Sequence, residues 1–333
     1  MTKKIYEVAV IGGGAAGTMA VQRTLLNNNE CLFFPGASQH RKKSRAFWVT
    51  KVENMPSLFK YKKGIEDPNK ETLEWLLNSE FKSKLFYQKN KGVVSIRKIE
   101  NDIFELTDNE QQIYFARFVI LCTGVMDVQP KINGQISPVF PFANAQLADY
   151  CLRCDGHHVI NKKLGIIGHT SSALWVAIML YERYQCPEVS IFCNGEATNF
   201  DTETLELSKK YNFKFYSEKI SEYISGKDSA SHELKLEAIK LENKQEIKTE
   251  ILFIALGMIV YNELALALKA SIDTRGFVIT DAKGKSSVDG LYIAGDLRAN
   301  TKKQIYTAWD TAVDSADEIN ALLRKLARNQ IKK

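Results

Sequence analysis

The stretch Glu7-Val-Ala-Val-Ile11-Gly12-Gly13-Gly14-Ala15-Ala16-Gly17, followed by the apolar pattern Met19 to Leu26, decides how this chain is read. An apolar run of strand length ends in three glycines and passes directly into a helical pattern, giving strand, tight turn and helix. Each glycine has a task in such a turn. Gly12 permits the sharp reversal, Gly14 lets the backbone come close to a pyrophosphate, and Gly17 lets helix and strand pack closely, with the helix amino end facing the phosphates. A glycine-rich turn that binds nothing is the competing reading, because glycine serves any tight turn. One feature of the dinucleotide pattern is missing. About 20 residues on, where an acidic side chain would hold the ribose hydroxyls, the strand Cys31-Leu-Phe-Phe34 ends in Pro35-Gly36.

The same order recurs further along. Lys163-Leu-Gly-Ile-Ile167 runs into Gly168-His-Thr-Ser-Ser-Ala173 and then into Leu174 to Leu180. A chain that opens this unit twice predicts two α/β domains of Rossmann type, and 333 residues leave room for each to bury its own core. Between the two units, Phe118-Val-Ile-Leu-Cys-Thr-Gly124 is a strand ending in Thr-Gly, and the stretch carrying Pro130, Gly134, Pro138 and Pro141 reads as a connection. A matching strand, Ile251 to Gly257, comes later. Gly290-Leu-Tyr-Ile-Ala-Gly-Asp296 follows it, with a helix expected from Lys303 to Leu326 that returns to the first domain. The expected architecture is therefore two three-layer domains, one of residues 1–125 and 258–333, the other, 126–257, inserted into it.

Composition narrows the classes. With 45% hydrophobic and 25% charged residues and no uninterrupted apolar tract of about 18 residues, the chain reads as a soluble globular protein that does not engage a membrane. The net charge of +6 is small and spread along the chain, which argues against a nucleic-acid partner. The densest basic run, His40-Arg-Lys-Lys43 with Arg45 after it, reads as a solvated loop or as a dock for an acidic partner or a cofactor phosphate. The amino end has the charge and the apolar run of an export signal, but the run ends in Gly12 to Gly14 with no cleavage site. A cytoplasmic location follows, in which six cysteines are not expected to form structural bridges.

Two of those cysteines are separated by two residues: Cys151-Leu-Arg-Cys154, followed by Asp155. Such a pair can close a small disulfide, and at a helix amino end it gains thiolate character, the form that attacks in exchange. Half of a zinc site and a chance spacing are the other readings. The zinc reading needs more ligands, and Cys186, Cys193, His157 and His158 do not supply a ribbon or finger spacing, so no metal is expected. Cys31, Cys122, Cys186 and Cys193 read as small core residues and His169 as structural.

Gly12 to Gly17, Val52-Glu-Asn-Met-Pro56, Cys122-Thr-Gly124, Cys151 to Gly156, and Gly290 to Asp296 with Lys303-Gln304 occur in the order and spacing of the low-molecular-weight thioredoxin reductase family, which the chain resembles over nearly its whole length. The resemblance implies FAD held by Gly12, Gly14, Ala15, Ala16, Gly17, Asn54, Thr123, Gly124, Gly295, Asp296, Gln304 and Ile305. It implies further that Cys154 faces the flavin, that Cys151 attacks the substrate disulfide, and that Asp155 moves protons between them. A carboxylate beside two thiols can do so if burial raises its pKa. A homodimer and a thioredoxin-like protein or small disulfide or dithiol substrate are implied in the same way.

The second turn departs from the family. Thr170 stands where a glycine would admit the pyrophosphate, and Cys193-Asn-Gly-Glu-Ala197 offers no arginine for a ribose phosphate, Glu196 being repulsive. The resemblance is therefore to members that keep the Cys-x-x-Cys pair without the NADPH signature, with a ferredoxin, a second flavin or a dithiol as electron partner. An NADPH-dependent reductase with substituted contacts and a non-catalytic flavin redox sensor are the alternatives.

Overall fold

The structure is a computed structural model that describes residues 4–38, 43–48 and 51–331. Its chain divides into two compact units, Met1–Ala46 with Tyr61–Met126 and Val260–Lys333, and Phe47–Lys60 with Asp127–Ile259. The bounds differ from the sequence-based division at Met126, Met258 and Ile259, and the largest difference is the segment Phe47–Lys60. It carries no strand signal, and it groups with the second unit through contacts such as the Trp48 ring 4.4 Å from Phe140. The basic run His40 to Lys42 lies outside the described residues.

The first unit is built on a seven-stranded sheet. Leu85–Tyr87, Cys31–Phe34, Ile5–Ile11, Ile113–Leu121 and Leu291–Ile293 run parallel in that order, and Val93–Ile99 and Ile103–Asp108 extend the sheet as an antiparallel meander. Side chains alternate across the sheet with a period of two. Val8 and Val10 face a core that includes the helix residues Ala16, Ala20, Ala312 and Ile319, whereas Ala9 and Ile11 face Leu32, Phe34, Phe104 and Leu106. Burial on both faces is why the strand reads as a continuous apolar run. Helices Ala15–Leu26 and Ile305–Ile331 pack through small alanine positions and are clamped by Arg23, whose guanidinium donates to both Asp317 oxygens (2.6 and 3.0 Å).

The second unit repeats the parallel core with five strands, in the order Lys214–Tyr216, Val189–Phe192, Leu164–Ile167, Ile251–Ile254 and Ala148–Asp149. Helix Ser171–Tyr184 covers one face through Leu174, Ala177 and Ile178. The other face packs against the antiparallel strands Ile220–Lys227, Leu234–Leu241 and Glu246–Lys248. Both units are thus Rossmann-type, and no helix among the described residues is long and apolar enough to cross a membrane.

Candidate active site

In the first glycine turn, crowding dictates two of the three glycines. Gly12 adopts φ +116°, and a Cβ there would lie 2.3 Å from the Cys122 carbonyl oxygen. At Gly17 an added Cβ would lie 1.7 Å from the Gly12 carbonyl oxygen. Gly14 is different, because nothing stands within 4 Å of its Cβ position and a side chain would fill open space in front of the helix. Helix Ala15–Leu26 starts there with no side-chain cap and no acidic residue in its first turn. The N–H groups of Ala15 and Ala16 meet no acceptor among the described residues. An open helix amino end without negative charge suits an anionic group.

Other expected residues of this unit gather round that turn. Cys122 and Thr123 abut Gly12, and the Thr123 hydroxyl donates to the Tyr261 carbonyl (2.6 Å). Gly124, at φ +67°, accepts the Tyr261 N–H (3.1 Å) and has open space beside it. Gly295, at φ +73°, stands where a Cβ would be 2.7 Å from the Ala16 Cβ and 3.7 Å from Ala308, so the strand end carrying half-buried Asp296 meets both helices. Buried Gln304 precedes helix Ile305–Ile331, and its carbonyl accepts the Ala308 N–H (2.9 Å). Burial lowers the neighbouring Lys303 to about 8, against the opposing pull of Asp296, and its Nζ lies 4.0 Å over the Phe277 ring. Asn54 belongs to the other unit.

In that other unit, Cys151 and Cys154 are joined as a disulfide. Cys151 caps the short helix Leu152–Asp155, and its Sγ accepts the Cys154 N–H (3.2 Å). That donor would stabilise a Cys151 thiolate once the bond opens. Cys151 and Asp155 are buried and Cys154 is half-buried. The remaining cysteines are buried and free, and burial raises each thiol pKa, Cys186 to about 11, which keeps them unreactive.

A polar cluster that the sequence reading did not assemble lies just beyond the pair. His157 and His158, on the 3-10 turn Gly156–Val159, both reach Oε2 of Glu53 through Nε2, at 2.7 and 3.0 Å. The His158 Nδ1 meets Oδ2 of buried Asp149 at 2.9 Å. Oxygen atoms of Asp149 and Asp155 and a His158 ring nitrogen lie within 4.8 Å of one another. Burial pulls His158 down, but Asp149 and Glu53 outweigh it and raise it to about 9. Burial raises Asp149 despite His158, while the two imidazoles hold Glu53 below its ordinary range against its own desolvation. The adjacent histidines were the only sequence signal. Glu53 is about a hundred residues away and nothing in the pattern ties it to them.

The second turn keeps the frame of the first. The Gly168 N–H donates to the Phe192 carbonyl (3.0 Å) as the Gly12 N–H donates to Phe34 (2.9 Å). A Cβ at Gly168 would lie 2.5 Å from the Ala173 Cβ, so close packing of strand and helix is retained. Thr170 is the cap residue of helix Ser171–Tyr184 and makes no side-chain cap bond. The Ser171 N–H donates to the Asn199 carbonyl (3.1 Å), and the Asn199 N–H donates to the His169 carbonyl (2.7 Å), which pairs Thr170 with Asn199 as a parallel bridge. The Ser171 hydroxyl accepts the Asp201 N–H (2.7 Å).

Comparison with known proteins agrees with this geometry. Residues 6–316 match the family model described as pyridine nucleotide-disulphide oxidoreductase. The chain is 26% identical over 312 residues to a thioredoxin reductase of Mycoplasma genitalium, covering 91% of each chain. It is also 26% identical to a thioredoxin reductase of Mycoplasmopsis pulmonis, covering 99% of each. Among solved structures, a thioredoxin reductase from Streptococcus pyogenes shares the fold with a TM-score of 0.80 at 19% identity, covering 97% of this chain and 100% of that one. The chain therefore belongs to the pyridine nucleotide-disulphide oxidoreductase family, as a flavin-dependent disulfide oxidoreductase built like a thioredoxin reductase.

Proposed function

We propose that this protein exchanges electrons between FAD and the Cys151–Cys154 pair, acts on a thioredoxin-like protein or a small disulfide or dithiol, and uses an electron partner other than NADPH. FAD is held in the discontinuous unit, with its pyrophosphate before the Ala15 and Ala16 N–H groups across the space at Gly14. Thr123, Gly124, Gly295 and Asp296 line the same strand ends, and Gln304 with Ile305 presents the amino end of the last helix. Bound there, FAD supplies a store for two electrons. In dithiol oxidation the substrate loses two electrons and two protons, becomes a disulfide and opens the Cys151–Cys154 bond. The first substrate sulfur joins Cys151 as a mixed disulfide while Cys154 leaves as the thiolate. The second substrate sulfur then closes the substrate disulfide and releases Cys151 as a thiolate, which the Cys154 N–H steadies, and Asp155 exchanges protons with the thiols. Disulfide reduction is the same sequence reversed.

The observation that carries the choice of partner is the Ser171 N–H, which is already bonded to the Asn199 carbonyl. A dinucleotide pyrophosphate in the second unit would have to displace that carbonyl and pass the β-branched Thr170. The loop Cys193 to Ala197 also lacks arginine, and two lost charge-assisted bonds to a ribose phosphate cost about 3 to 6 kcal/mol, or two to four decades of affinity. One observation favours the NADPH reading instead. The Lys219 stem crosses Gly195, where a Cβ would lie 2.4 Å from its Cγ, and an ammonium there could meet a ribose phosphate.

Anaerobic rapid mixing of the yellow protein with NADPH and, separately, with a dithiol tests the proposal. Fast flavin bleaching by the dithiol and slow, unsaturated bleaching by millimolar NADPH are expected. Saturable bleaching at micromolar NADPH would restore the ordinary reductase, and failure to retain FAD would remove the flavin site itself.

A further inference from the structure

The side chains that converge beyond the redox pair have the make-up of a metal centre. Three donors, Glu53 Oε2, His157 Nε2 and His158 Nε2, lie within 4.8 Å of one another, with the carboxylate oxygen 2.7 and 3.0 Å from the two nitrogens. Around zinc, with bonds of about 2.1 Å, neighbouring donors in a tetrahedron stand about 3.4 Å apart. The Glu53 oxygen would need to stand only about 0.4 to 0.7 Å further from each nitrogen to admit the ion, well within side-chain reach for the exposed Glu53 and His157.

The orientation of His158 is the second argument. Its Nδ1 faces buried Asp149, so a neutral imidazole donates there and turns the Nε2 lone pair toward Glu53. The 3.0 Å gap between that nitrogen and the Glu53 oxygen holds a proton or a cation, and a divalent cation would take the proton's place. A carboxylate behind a histidine is also the arrangement that fixes tautomer and ring orientation in metal sites. Two histidines and a glutamate are harder donors than thiolates, and they leave a position open on the solvent side.

We propose that Glu53, His157 and His158 bind a divalent, zinc-like cation, with Asp149 orienting His158 and the open position taken by water or by a sulfur atom of a thiol substrate. The site is separate from the cysteines. It joins the turn that follows them to Glu53 and does not depend on which electron partner the protein uses.

Calorimetric titration with zinc chloride, paired with metal analysis after gel filtration, tests this on the full-length FAD-loaded protein with its disulfide closed. One zinc per chain is expected, and the same in a Cys151→Ser/Cys154→Ser variant. Glu53→Gln and His157→Ala, both at exposed positions, should each weaken binding by about tenfold or more while the flavin spectrum is unchanged. No uptake by the wild type at submillimolar zinc would overturn the proposal, leaving a protonated histidine cluster. So would loss of binding in the cysteine variant, which would put the metal on the thiols, or unaltered affinity in both ligand variants.

Discussion

The two glycine turns, Gly12–Gly17 and Gly168–Ala173, begin alike and end differently. Each closes its strand against the next with an N–H donated to a phenylalanine carbonyl, Phe34 in one and Phe192 in the other. Each packs its helix against the turn so closely that a Cβ on a key glycine would collide with its neighbours. Beyond that frame they diverge. At the first turn the helix amino end opens onto free space at Gly14, whereas at the second it is met by the chain's own Asn199 carbonyl, with Thr170 in place of a glycine at the cap position. The lesson is that packing keeps the fold while what stands before the helix amino end decides access. A helix amino end whose donors are already bonded internally has less to offer an incoming phosphate.

The comparison can be broken first at Gly17. An alanine methyl there would drive into the Gly12 carbonyl, so Gly17→Ala should destabilise the first unit by about 3 kcal/mol or more, read as a lower urea midpoint. An unchanged midpoint would mean that the turn relaxes freely and that crowding does not dictate its glycines. Gly14→Val comes next and should act on binding alone. Its backbone, at φ −80°, accepts an L side chain, and the valine would occupy the space before the helix. FAD affinity should fall by about a hundredfold or more, as expected for the loss of about 3 kcal/mol of phosphate contact, with the stability of the FAD-free protein unaltered. Full retention of flavin by this variant would show that the first turn is no more a phosphate site than the second.

A smaller effect sharpens the other half. Thr170→Gly removes the bulk at the second turn but leaves the Asn199 carbonyl on Ser171, so the rate of flavin reduction by NADPH should change by less than about threefold. A large gain would assign the block to the threonine side chain alone.

The smallest effect concerns the clamp that holds the first helix in place. Arg23 and Asn27 keep the Asp317 carboxyl below its ordinary pKa against the cost of its partial burial. A carboxylate lowered on folding adds stability above the ordinary carboxylate range, near pH 4, and loses that contribution as pH falls through the folded value. The pair is partly exposed, and solvent screening limits it to about 0.5 kcal/mol. The difference in urea midpoint between wild type and Asp317→Asn should be constant at neutral pH and shrink on acidification below that range. A difference that grows on acidification would contradict the assignment.

Much of the site was legible because its signals are local. A turn needs glycine within a few residues of itself, a two-residue spacing closes a disulfide, and a strand buried on both faces reads as an apolar run. Gly12 to Gly17, Cys151 with Cys154, and the recurrence at Gly168 all belong to this kind. The grouping of Phe47–Lys60 with the second unit had no such signal, since its stacking of Trp48 on Phe140 joins positions far apart in the chain. The same holds for Asn199 on Ser171, which adds an obstacle to the one Thr170 suggests.

By itself, then, the sequence determined the two Rossmann-type frames and the redox pair, because each rests on periodicity and spacing among neighbouring residues. Tertiary structure alone decided that the Asn199 carbonyl meets the second helix amino end, and it alone brought Glu53 to His157 and His158. Those outcomes depend on where a distant backbone carbonyl or carboxylate comes to rest once the cores have packed, and no local pattern encodes that.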